Sequence, residues 1–267
     1  RLEKIVDLVD RGVRLADIGT DHGYIPIELL KSGKIEFAIL SDINKGPLEN
    51  ARKEIQRQGL DTKTDLRLGS GLEVLGDNEA DQIIIAGMGG ILISDLIEKK
   101  LELCKKLDKM ILQPMQAQED LREYLNMRGF SIREEYLVRE DFRLYEIMEV
   151  VYGGETEDID PIYYEIPKRL IEKKDPLLVD LLEKKIRENK SILDKLDMSL
   201  VDQAENKSLL DRKRVVEDKL NKLNEIYNKY SKERFNTTQI FVDSLDTDRI
   251  YSGIINSNRV FDRNNQS

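Results

Sequence analysis

The chain has 267 residues, 40% hydrophobic and 36% charged, with a formal net charge of −9. That length suits one full domain plus a smaller appendage, and the apolar share is enough for a core, which excludes wholesale disorder. No apolar run approaches the roughly 18 residues of a membrane span, the opening Arg1-Leu-Glu-Lys does not read as a signal peptide, and one Cys (Cys104) with one His (His22) supplies neither an internal disulfide nor a zinc ligand set.

From Val13 to Asp42 the pattern is a short apolar strand (Val13 to Ile18), a Gly-rich turn, a helix opened by Pro26 and a second strand (Phe37 to Leu40), which is a βαβ unit. The alternation continues with a helix over Pro47 to Gln58 and strands near Thr64–Leu68, Gln82–Ala86 and Lys109–Leu112. Further helices are expected near Ile91–Cys104 and Gln118–Arg128. Strands alternating with helices predict an α/β fold with a doubly wound parallel sheet. Two runs, Ser131–Val138 and Leu144–Val151, flank the polar turn Arg139-Glu-Asp and predict a terminal antiparallel hairpin.

After Gly153-Gly154 the character changes. A helical region is expected from around Pro161–Pro176 to about Lys232. Leu182, Ile186, Leu193, Leu196 and Leu200 form one stripe, and Leu209, Val216, Leu220, Leu223, Tyr227 and Tyr230 another. Two such stripes predict an antiparallel, coiled-coil-like helical hairpin. It serves either as a packing module or dimer contact, or as an arm presenting Lys184, Lys185, Arg187, Arg212, Lys213 and Arg214 to RNA. The expected domains are therefore 1–154, 155–235 and a weakly ordered tail, 236–267. Residues 1–164 carry 22 basic and 33 acidic groups, whereas 165–235 carry 18 and 15, so any nucleic-acid contact must use local patches.

In a doubly wound sheet, ligands bind beyond the carboxyl ends of the strands. The first turn there, Asp17-Ile-Gly-Thr-Asp-His-Gly23, has Asp21 where a dinucleotide-binding turn needs its second glycine. A carboxylate there repels a pyrophosphate and attracts a ligand carrying an ammonium and a sulfonium, such as S-adenosyl-L-methionine (SAM); alternatively Asp21 only caps the helix. Asp42 lies about 20 residues beyond the glycine turn, where an acid accepts ribose hydroxyls. Ala86-Gly-Met-Gly-Gly90 lets a backbone approach a ligand but lacks the Lys and Ser/Thr of a phosphate-binding P-loop. Gln113, before Pro114-Met115, either reads a base edge or ties down its loop.

These segments, with Asp42-Ile-Asn-Lys-Gly-Pro-Leu48 and the late Glu140-Asp…Tyr145-Glu146, together resemble the bacterial tRNA (adenine-N1)-methyltransferases acting on position 22, over about residues 1–230. The resemblance implies a class I, Rossmann-like methyltransferase domain followed by a helical domain, SAM as cofactor and tRNA as partner. It implies that Asp17, Gly19, Asp21, His22, Gly23, Asp42, Ile43, Ser70, Gly71 and Gly87 surround SAM, with Asp21 also catalytic. Tyr24, Met88, Gly89, Gln113, Phe142 and Tyr145 are then candidates to meet the target base. The sequence departs from the family at Ser70 and Met115, where Asp and Asn are expected. A cytoplasmic monomer is expected, free of metal and membrane. Two other readings stay open: a same-fold methyltransferase with another acceptor, and a non-enzymatic nucleotide-binding module.

Overall fold

The computed structural model describes residues 1–232, so the tail expected at 236–267 lies outside the described residues. The chain forms two compact units, the first running from Arg1 to Leu181 and the second beginning at Leu182. The strands of the first unit are β1 (Leu15–Ile18), β2 (Ala38–Asp42), β3 (Thr64–Leu68), β4 (Gln82–Met88), β5 (Lys109–Pro114), β6 (Phe130–Glu140) and β7 (Arg143–Tyr152). Its helices are α1 (Leu2–Leu8), α2 (Tyr24–Lys31), α3 (Lys45–Gln58), α4 (Gly90–Lys99), α5 (Leu101–Cys104), α6 (Gln118–Met127), α7 (Ile162–Glu165) and α8 (Lys168–Glu172).

The seven strands form one sheet in the order β3-β2-β1-β4-β5-β7-β6. Strands β1 to β5 pair in parallel, and β7 pairs antiparallel with both β5 and β6. The order reverses between β1 and β4, which opens a crevice at their carboxyl ends. Period-two alternation along the central strands divides the core. Leu15, Ile84 and Ile111 pack with Ile5, Ile27 and Ile55 on one face. Ala16, Ile83, Ile85 and Leu112 pack with Ile93 and Leu121 on the other. Each such aliphatic side chain larger than alanine contributes about 1.5–3 kcal/mol by leaving water, which is why the strands are near-continuous apolar runs.

Several boundaries differ from the sequence reading. Helix α2 starts at Tyr24, with Gly23 as its N-cap. Pro26 is therefore two residues inside the helix, where the N–H that proline lacks would still have had no intrahelical acceptor. The helix expected over Ile91–Cys104 breaks at Lys100, whose backbone leaves the helical region, giving α4 and α5. The amino-terminal α1 was not anticipated. The region after Pro161 begins with the two short helices α7 and α8, and the long helix starts only at Leu178.

A buried ionic cluster ties this part together. Arg122 on α6 donates from Nε to Glu135 on β6 at 2.8 Å, from Nη2 to Glu146 on β7 at 2.5 Å, and from Nη1 to the carbonyl of Tyr164 on α7 at 2.8 Å. All three charged side chains are buried.

Helix α9 (Leu178–Asp202) leads into the second unit and is followed, after a turn at 203–206, by α10 (207–232). Tyr227 donates to Glu183 at 3.3 Å and Lys213 pairs with Asp197 at 2.7 Å. These two pairings lie at matched distances from the turn, so the helices run antiparallel, as the two stripes predicted. Leu182, Ile186, Leu196, Val216, Leu223 and Tyr230 are buried along the seam. Two residues of the expected basic face are placed differently: Lys185 is buried, and Lys213 is held by Asp197 and Glu217. No helix among the described residues is long and apolar enough to cross a membrane.

Candidate active site

The turn after β1 is fixed by main-chain bonds. The N–H groups of Gly19 and Thr20 both donate to the carbonyl of Ser41, at 2.8 and 2.9 Å, which holds the glycine turn against the end of β2. Gly19 has φ +80°, and a Cβ there would lie 2.1 Å from Cε of Met88. The Met88 side chain therefore lies over the turn; a Cβ would push its flexible tip aside, and the positive φ is what favours glycine here.

Asp17 is buried at the end of β1. Burial pushes its carboxyl up to about 6, against the opposing pull of the Thr20 hydroxyl, and the nearby Asp42 carboxylate adds to the rise. Asp21 points outward with its side chain 75% exposed, and its Oδ2 lies 3.0 Å from Nδ1 of His22. Nδ1 is out of line for a hydrogen bond and has no such partner among the described residues. The His22 ring stacks on Tyr24 with centroids 5.2 Å apart and planes 10° apart. Tyr24 is 57% exposed.

At the end of β2, Asp42 Oδ1 accepts from the Asn44 main-chain N–H at 2.6 Å, the only hydrogen bond to this carboxylate among the described residues. Ile43 beside it is exposed. Gly69 N–H donates to the Asp42 carbonyl at 3.0 Å, bringing the turn after β3 alongside. Ser70 heads a single 3-10 turn over Gly71–Val74. At Gly71, with φ +51°, a Cβ would meet Leu96 at 2.3 Å.

Across the switch point, β4 runs on through Gly87 to Met88. Gly87 has φ +78° and nothing near its missing Cβ, so its backbone lies bare in the crevice. The segment is pinned to the loop after β5 by main chain alone: Met115 N–H donates to the Met88 carbonyl at 2.7 Å, and Gly90 N–H to the Gln116 carbonyl at 2.8 Å. Gly89, at the N-cap of α4, faces Gln116.

Gln113 is fully buried; its amide donates to the Pro114 carbonyl at 3.0 Å and its oxygen accepts from Nη1 of Arg1 at 3.2 Å. These bonds hold the side chain to its own loop and to the amino-terminal residue. Tyr145 is only 8% exposed and has the Arg1 guanidinium over its ring, 5.1 Å from the centroid. The ring is covered, unlike Phe142, which is 86% exposed at the β6–β7 tip. Arg1 is the residue that sequence reasoning missed here, because one arginine ahead of the first strand carries no motif.

The residues in the crevice fit SAM. Three carboxylates stand where a phosphate cradle is absent, Asp42 has an oxygen to offer, and the buried Ser41 hydroxyl beneath the turn has no partner among the described residues. Sheet order and site together define a Rossmann-like SAM-dependent methyltransferase, and the methyltransferase-domain family model matches residues 1–148. Over 162 residues the chain is 33% identical to the tRNA (adenine(22)-N(1))-methyltransferase of Bacillus subtilis (strain 168), covering 61% of this chain and 68% of that protein. The chain belongs to this family of methyltransferases. The B. subtilis m1A22 tRNA methyltransferase TrmK superposes with a TM-score of 0.75 at 27% identity, over 85% of this chain and 97% of that one. Streptococcus pneumoniae Sp1610 in complex with SAM gives 0.71 at 30% identity, over 85% and 98%.

Proposed function

We propose that the chain methylates N1 of adenine 22 in tRNA, with SAM as methyl donor. The observation that carries this reading is the set of three carboxylates, Asp17, Asp21 and Asp42, around the β1–β4 switch point. Such a site disfavours phosphates and favours a cationic nucleoside. When bound, SAM supplies a methyl carbon made electrophilic by its sulfonium sulfur.

The chain's own residues do the rest. Asp42 presents its free oxygen to the ribose hydroxyls, with Ile43, Ser70, Gly71 and Gly87 around the adenosine. Gly19, Asp21, His22 and Gly23 line the methionine portion, above buried Asp17. Because adenine N1 already offers an in-plane lone pair, the site has to orient the base within near-attack distance and needs no general base to create the nucleophile. N1 sits on the Watson–Crick edge, so the pocket receives the base unpaired or flipped. The exposed Tyr24 ring stacks on that base, while Met88, Gly89 and Phe142 border it. Asp21 offsets the positive charge that the methylated purine acquires. In the second unit, exposed Arg187, Arg212 and Arg214 contact the phosphates of the tRNA body.

The test is incubation with isotopically labelled SAM and unmodified tRNA, followed by digestion and mass spectrometry of the nucleosides. Label in 1-methyladenosine, lost when position 22 is changed to guanosine, is the expected result. Absence of labelled nucleoside from a protein that binds SAM overturns the acceptor.

A further inference from the structure

The first unit leaves most of its exposed apolar surface at one end. Among the described residues it exposes ten large apolar side chains, and seven of them stand at the carboxyl ends of the strands, around the mouth of the crevice. Single exposed aliphatics are ordinary, but a group of them marks a contact surface. Ile91 and Leu92, in the first turn of α4, are 60% and 49% exposed. The next residue, Ile93, is fully buried and anchors the helix in the core, while the pair ahead of it is left largely in water. That turn carries no acidic residue, although a helix ordinarily favours one there. Met115, also exposed, belongs to the same wall, because the main-chain bonds from Met115 to Met88 and from Gly90 to Gln116 join the start of α4 to the loop after β5.

The surrounding charge and the neighbouring chemistry narrow what covers this surface. Residues 1–164 carry 33 acidic groups against 22 basic, a balance that repels a phosphate backbone. An RNA at the mouth therefore gains more from its base faces than from its phosphates. Methylation at N1 needs the target adenine out of its stack. The bases on either side of it then lose a stacking partner and present apolar faces next to Met88 and Gly89, the residues assigned to the border of the target. Ile91 stands two positions beyond Gly89. We propose that Ile91 and Leu92, with Met115 beside them, form an apolar shelf on which an unstacked base flanking the target adenine rests, so that the catalytic unit holds RNA by base faces. This deepens the assignment of a tRNA adenine as acceptor and rests on it.

The experiment compares wild type with the double variant Ile91→Gln, Leu92→Gln. The substrates are intact tRNA and two tRNAs joined from synthetic halves, one lacking the base before the target and one lacking the base after it. Each pair is assayed for RNA affinity by anisotropy over a salt series and for methyl transfer by labelled nucleoside, with SAM affinity from calorimetry and Tm from a thermal melt. The shelf predicts that the double variant raises the Kd for intact tRNA, and lowers kcat/KM, roughly tenfold. Its log–log salt slope stays at the wild-type value because no phosphate contact is lost. SAM affinity and Tm also stay unchanged. Removing the base on one side of the target weakens binding by wild type to a similar extent, and the double variant then loses nothing more, because both changes remove the same contact. Wild-type affinity of the double variant for intact tRNA overturns the shelf. So does a shallower salt slope, which marks a phosphate contact, or a parallel loss of SAM affinity or Tm, which marks a packing role. If the double variant is weakened but neither missing base matters to wild type, the occupant is not a nucleobase and the proposal is wrong. If wild type makes no 1-methyladenosine, the acceptor assignment fails and the shelf falls with it; if wild type does and the double variant matches it in every readout, the shelf alone fails.

Discussion

Arg122 on α6 and Glu146 on β7 meet at 2.5 Å in the interior, with Glu135 on the other edge of the same guanidinium at 2.8 Å. One cation is shared by two buried carboxylates, and Glu146 Oε1 has no partner among the described residues. Removing the cation leaves two anions without compensation, so Arg122→Ala is expected to destabilise the protein by about 3–5 kcal/mol in urea unfolding. Burial already raises the Glu135 carboxyl above its ordinary range, against the pull of Arg122. Without Arg122 only the weaker pull of Arg169 opposes that rise, and the folded state binds the proton more tightly than the unfolded chain. The deficit of Arg122→Ala relative to wild type therefore shrinks as pH falls from 7 to 5. A deficit that is constant with pH rules out this account.

Asp17 offers a second pH signature. Its carboxyl is at about 6 in the folded protein, above the ordinary 3.8, so the folded state holds the extra proton between those values. The Asp17 contribution to stability without cofactor therefore falls as pH rises from about 4 through about 6 and is flat above, a difference read between wild type and Asp17→Asn. Asp17→Asn removes the buried charge and should raise Tm at pH 7.5, while weakening SAM binding. SAM, being cationic, favours the ionised carboxyl, so wild-type SAM affinity should drop below pH 6, and Asp17→Asn should lose that dependence in calorimetry.

The glycines give an ordered set. A Cβ at Gly90 would lie 2.0 Å from the Ala117 carbonyl oxygen, a main-chain atom that cannot swing aside. At Gly19 the obstacle is the flexible tip of Met88, and at Gly87 there is none, although φ is positive at both. Thermal melts should rank Gly90→Ala as most destabilising, Gly19→Ala next and Gly87→Ala least, at about 1 kcal/mol. SAM binding should suffer more in Gly19→Ala than in Gly90→Ala when each is measured on folded protein.

Asp21 is exposed, and its approach to His22 at 3.0 Å is a surface pairing that contributes little to stability. Asp21→Asn should melt like wild type, within about 0.5 kcal/mol. Single-turnover methyl transfer at saturating SAM and tRNA should slow by at least tenfold if the carboxylate offsets charge on the product base. Loss of SAM affinity with an unchanged single-turnover rate would confine Asp21 to cofactor binding.

On the helical unit, reversing Arg187, Arg212 and Arg214 to Glu should weaken tRNA binding and flatten its salt dependence while leaving SAM affinity intact. Lys213→Glu differs because that lysine is paired with Asp197. It should lower the stability of the hairpin, seen by circular dichroism, as well as tRNA binding.

The sheet was legible because alternating strand and helix signals fix parallel pairing, and because Gly19 and Asp42 occupy turns whose positions follow from that topology. The helical stripes were legible for the same reason: periodicity survives any tertiary arrangement. Helix α1 was not, since seven residues hold little periodic signal. Nor were the contacts that complete the cleft. Arg1 meets Gln113 across 112 positions of sequence, and nothing local to either residue encodes that meeting. Arg122, Glu135 and Glu146 have no spacing that pairs them in sequence; they meet only where α6, β6 and β7 enclose them. Gln113 could be assigned to a turn from its place after β5, but whether it faced a ligand or its own loop depended on the partner brought from the amino terminus.

The wall formed by Met88–Gly90 and Met115–Gln116 is joined through peptide groups, with no side chain taking part in the two bonds that hold it. Its shape is thus insulated from its chemistry. A different side chain at Met115 would leave both bonds in place, so the spacing of this wall is set by the backbone and not by which side chain stands on it.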